Sequence, residues 1–95
     1  MLLTKQADFG GLKVVIHDLQ VAGDVLPLHV HDCSSVHITV VARGRIKAFS
    51  HDWEKEASAG VVLNFREGEP HEIVALEDGT RIVNVLRNTF DSTTL

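Results

Sequence analysis

The chain has few of the residues that brace a small protein from outside its core. Of 95 residues one is cysteine, Cys33, so no intrachain disulfide can form. There is no tyrosine, and aromatic residues make up only 5%. Hydrophobic residues are nevertheless 44% of the chain, so a core must be assembled from Val, Ile, Leu and Ala. Basic residues are scattered and the net charge is −4, which argues against a phosphate backbone as partner. No apolar run approaches the roughly 20 residues that a membrane-spanning helix needs. The opening MLLTKQADFGG lacks the apolar stretch of a signal peptide. These absences predict a cytoplasmic single domain over residues 1–95, with neither nucleic acid nor membrane as partner.

What is present is a series of short β-branched segments between turns, and no segment sustains a helical period. The spacing predicts strands over Leu12–Gln20, Val25–His31, Val36–Ala42, Arg45–Ser50, Val61–Phe65, His71–Leu76 and Arg81–Arg87. Turn residues separate them, among them Ala22-Gly23-Asp24, Arg43-Gly44, His51-Asp52, Ser58-Ala59-Gly60 and Glu77-Asp78-Gly79. An all-β sandwich or small barrel follows. Several strands are apolar on both faces. Val36–Ala42 sets Val36, Ile38 and Val40 against His37, Thr39 and Val41. Strands of that kind are covered on both sides, which predicts a homodimer.

Four histidines stand out: His29, His31, His37 and His71. Residues i and i+2 of a strand share a face, so His29 and His31 would aim two rings into one space. His37 returns on the next strand, and His71 comes from a distant one. Imidazole is the commonest protein ligand of transition metals. A lone strand histidine is usually structural, so only a larger pattern turns these four into a metal site.

That pattern exists. The stretch Gly23-x5-His29-x-His31-x5-His37-x6-Gly44 resembles the first motif of the cupin superfamily, which places Glu where this chain has His37. Gly60-x7-Gly68-x2-His71 resembles the second motif, with Arg66 at the usual Pro and Ala75 at the usual Asn. The resemblance implies a cupin-type β-barrel (a double-stranded β-helix, or jelly roll) with one divalent metal inside. It carries ligand roles onto His29, His31 and His71 directly, and onto His37 by substitution for the glutamate. A four-imidazole set disfavours Mg²⁺ and Ca²⁺, which want oxygen ligands. It leaves Fe, Mn, Ni, Cu or Zn undistinguished. The function implied is a metal-binding small cupin with a small molecule in the barrel. It is either an oxygenase or isomerase of a chelating substrate, or a non-catalytic module that binds or senses an anion or sugar acid.

Other residues carry weaker signals. Cys33 reads as a small packed residue beside the ligand loop. His17 reads as a surface or interface residue, His51 as solvated, and Trp53 as packing on the barrel or on a second subunit. Asn84, polar between Val83 and Val85, needs a hydrogen-bond partner that is either backbone or a ligand in the barrel.

Overall fold

The computed structural model describes residues 1–29, 35–64 and 70–88, and of Phe9, Leu28, His29, Ser35, Val36, His37, Arg87 and Asn88 it describes the backbone only. The described strands are β1 (Leu2–Phe9), β2 (Leu12–Leu19), β3 (Val25–His29), β4 (Ser35–Arg43), β5 (Arg45–Phe49), β6 (Glu54–Ser58), β7 (Val62–Leu63), β8 (His71–Ala75) and β9 (Thr80–Asn88). They form a five-stranded sheet, β1-β2-β9-β4-β7, and a four-stranded sheet, β3-β8-β5-β6. Every pairing is antiparallel. The all-β expectation holds, and each β-branched run predicted from the sequence contributes a strand.

Two differences have a physical reason. β1 and β6 are strands that the pattern of apolar residues does not reveal. β1 pairs along its whole length with β2 but lies at a sheet edge, and only Leu2 among its described side chains is withdrawn from solvent. β6 is also an edge strand, and of Glu54–Ser58 only Ala57 is buried. Backbone pairing makes these strands, not burial. The predicted strand over Val61–Phe65 shortens to Val62–Leu63, and its end at Phe65 lies outside the described residues.

The core fills the space between the sheets. Leu19, Val41, Ile46, Ile73 and Ile82 are fully or almost fully buried, with Leu26, Ala48, Ala57, Leu63 and Ala75 around them. Each large aliphatic chain buried here contributes about 1.5–3 kcal/mol relative to exposure. Alternation assigns faces cleanly. On β8, His71, Ile73 and Ala75 point inward; on β9, Thr80, Ile82 and Asn84 do. Trp53 packs against this core within the same chain. His17 has the strand parity of buried Leu19 and is half-buried, its Nδ1 3.0 Å from the Thr4 hydroxyl.

One turn locks the two sheets together. Gly44 links β4 to β5 at a φ of +82°, a left-handed conformation that side chains rarely adopt. A Cβ there would lie 2.3 Å from Thr80 Oγ1 and 2.9 Å from Thr80 Cα. Thr80 is itself pinned, donating 2.8 Å to the Glu77 carbonyl. At the same end Gly23 donates 2.8 Å to the Ala75 carbonyl. On the outer face of the five-stranded sheet Arg81 grips Asp18 with both arms, Nε to Oδ1 at 2.7 Å and a terminal nitrogen to Oδ2 at 3.0 Å.

Candidate metal centre

β3 does not run straight into its histidine. Leu26 sits opposite Ile73, but His29 sits opposite His71, so β3 uses three steps where β8 uses two. The extra residue is a β-bulge at Pro27-Leu28. Proline has no N–H to give the ladder, which makes this a favourable place to break it. Unbroken pairing would have set Leu28 opposite His71. The bulge places the His29 backbone there instead, and directly opposed residues of an antiparallel pair share a face. His71 is on the inward face of β8 and 1% exposed.

The third histidine approaches from the other sheet. His37 lies on β4 opposite Leu86 of β9, in the parity of the buried residues Thr39 and Val41. The backbone therefore brings His29 and His71 together as cross-strand partners and sets His37 on the inner-facing register of the facing sheet. The side chains of His29 and His37 are not among those described, and His31, Cys33, Arg66 and Gly68 lie outside the described residues. Among the described residues no group of three or more His, Cys, Asp or Glu side chains is gathered closely enough to hold an ion. Of the four predicted ligands only the His71 side chain belongs to that set.

Two buried polar residues flank this end of the sandwich. Thr39 and Asn84 are cross-strand partners on the inner face, and the Thr39 hydroxyl donates 2.7 Å to Asn84 Oδ1. Ser50 donates its hydroxyl to the Pro70 carbonyl, tying the end of β5 to the residue before His71. Sequence reasoning singled out Asn84 but not Thr39, because a threonine in a β-branched run carries no distinguishing signal.

The arrangement of two antiparallel sheets, with His71 buried between them, matches solved structures over nearly the whole chain. An RmlC-like cupin protein from Desulfovibrio desulfuricans superposes with a TM-score of 0.79 at 22% identity, covering 92% of this chain and 82% of its own. The chain has the cupin fold. KdgF from Halomonas sp. aligns to this chain with a TM-score of 0.80 at 19% identity, over 97% of this chain and 83% of KdgF. An oxalate decarboxylase aligns at 0.77 and 19% identity over 92% of this chain, which matches 25% of that larger protein. No family model and no curated protein matches the cupin chain by sequence. At these identities the likeness establishes the fold alone.

Proposed function

We propose that this small cupin holds one divalent transition-metal ion on His29, His31, His37 and His71 and presents it to a small chelating ligand. The observation that carries this reading is the register of β3 on β8: a bulge sets His29 directly opposite a His71 that is 1% exposed. Two histidine positions that face each other across paired strands, one of them buried, offer imidazole donors for one ion. The donor set fits a transition metal. Neutral imidazoles suit Zn, Cu, Fe and Ni, with Mn a weaker match, and without a carboxylate they leave the charge of the ion unneutralised. An anionic ligand is therefore favoured. Bound there, such an ion supplies Lewis acidity or redox capacity to whatever ligand joins it. Two structural neighbours, KdgF and an oxalate decarboxylase, support a metal-dependent reading only as far as their shared fold carries it.

The test is elemental analysis of untagged protein purified without added metal, beside His37→Ala and His71→Ala. The wild type carries close to one transition-metal ion per chain and His71→Ala carries almost none. Equal and negligible metal in all three removes the proposal. Whether the site is catalytic separates by product: an oxygenase or isomerase turns its ligand over, whereas a binding or sensor module is stabilised by ligand and leaves it unchanged.

The same reading pairs two copies of the chain through the outer face of the five-stranded sheet. Leu3, Leu12, Ile38 and Val62 are exposed on that face, with Ile16 and Val83 half-buried between them. The four long strands, of eight or nine residues each, lie about 4.8 Å apart with roughly 3.4 Å rise per residue and give a footprint on the order of 500 Å². Side-chain relief raises the accessible area above that footprint, towards the roughly 800 Å² per partner of a standard interface. A twofold axis through such a face sets apolar rows against their own copies.

A further inference from the structure

Asn84 is 4% exposed and lies on the inward face of β9. Its carbonyl oxygen is occupied, since the Thr39 hydroxyl donates to it at 2.7 Å. That bond fixes which way the amide faces. The amide nitrogen, a double donor, makes no hydrogen bond among the described residues and is not one of their fully buried unpaired atoms, so it keeps an opening in an otherwise buried residue. A donor that keeps an opening in an otherwise buried residue is placed to serve an acceptor that enters the interior.

The neighbouring positions say what that acceptor is. Opposite Asn84 on β2 stands Val15, and one inward row further along stands Lys13, opposite Leu86. His37 is the partner of that same Leu86 from the other side. Lys13 therefore shares a cross-strand row with the His37 position and is diagonal to Asn84. It is half-buried, and no ion pair holds it among the described residues. An amide with free donors and an unpaired ammonium on one inner surface both favour an anionic oxygen.

We infer that Asn84, held by Thr39, and Lys13 form the recognition face for a carboxylate of the ligand. This rests on the reading that a metal sits at the four histidines, and it narrows that reading to small dicarboxylates and related acids. One carboxylate joins the metal. The other accepts from the Asn84 amide and faces the Lys13 ammonium.

The test is isothermal titration of malonate into the untagged chain loaded with nickel(II), with metal content measured alongside. Asn84→Asp keeps the size and the oxygen that Thr39 bonds, but replaces the donor with a negative acceptor. It weakens malonate about a hundredfold. Lys13→Met, at a half-exposed position with little bearing on folding, weakens it about tenfold. Both variants keep the nickel content of the wild type. Malonate binding within twofold of wild type in both variants overturns the inference, as does a nickel-loaded wild type that does not bind malonate. If the wild type takes up no nickel, the metal reading fails on its own. Malonate titrated into the metal-free chain then decides: binding that falls in Asn84→Asp sustains the recognition face, and absent or unaltered binding removes it. If circular dichroism shows Asn84→Asp unfolded, Lys13→Met decides by the same criterion.

Discussion

The two ends of the sandwich interior are built from the same strands and do opposite things. At one end Leu19, Val41, Ile46, Ile82 and Ala75 close the space with aliphatic contacts, and Gly44 lies so near Thr80 that not even a methyl group fits between them. At the other end the same strands turn polar: β9 passes from Ile82 to Asn84, β4 from Val41 to Thr39, and β8 from Ile73 to His71. Each change takes one step of two residues along an inward face. The lesson is that a two-sheet sandwich of this size can set a polar end beside an aliphatic one without adding a layer. One end of its core is aliphatic and closed, and the other gathers buried polar side chains.

That contrast can be broken at the closed end first. Gly44→Ala adds a Cβ to a left-handed residue and drives it into the Thr80 backbone. A loss of about 3 kcal/mol follows, in the range of strain at a special backbone position. For a chain this size that lowers the melting temperature by roughly 12–24 °C, read by circular dichroism. A drop below 3 °C would show that the turn relaxes and that the closed end is not rigid. At the polar end the proposed ion is the expected source of added stability. A metal present at about 100 times its Kd adds about 2.7 kcal/mol. Calorimetry on the wild type with and without a chelator measures it, and His71→Ala abolishes the difference. If His71→Ala responds to metal as the wild type does, the polar end is not the metal end.

Smaller effects sharpen the boundary between the inside of the five-stranded sheet and its outside. Ile38→Glu with Val62→Glu places charge on the exposed apolar face and makes the chain monomeric by sedimentation at concentrations where the wild type is dimeric. A wild type that is monomeric at every concentration disposes of the proposed pairing. The smallest effect comes from the Asp18–Arg81 pair. The hydrogen bonds from Arg81 hold the Asp18 carboxyl below its ordinary range. A carboxylate whose folded pKa is depressed stabilises the fold above its unfolded pKa, and that contribution is lost as pH falls through the folded value. Both side chains are partly exposed, so Arg81→Met destabilises only slightly at neutral pH, read by chemical denaturation. The gap between variant and wild type closes in acid. A gap that stays constant into acid would mean that Arg81 acts by packing alone.

Most of the fold was legible in the sequence because apolar residues alternate wherever a strand has a face to bury. It was illegible in β1 and β6, where edge strands are held by backbone pairing and Glu54, Lys55 and Glu56 carry no burial signal. The candidate site was legible as four histidines in a two-part spacing pattern. Their relation in space was not, since alternation alone cannot foresee that a bulge intervenes between Leu26 and His29. Nor does a single threonine announce that it will lock an asparagine across a strand. Hydrogen-bond orientation of that kind is a property of the paired strands and belongs to neither segment alone.

The bulge at Pro27-Leu28 makes the count of residues between Leu26 and His29 a matter of odd and even. With one residue in excess, the ladder resumes in phase and His29 meets His71. Deleting Leu28 alone would remove the excess, restore plain pairing and keep that meeting. Deleting both Pro27 and Leu28 would turn His29 to the opposite face. Length variation at this point is therefore quantised: one missing residue leaves His29 where it was, and two turn it away from His71.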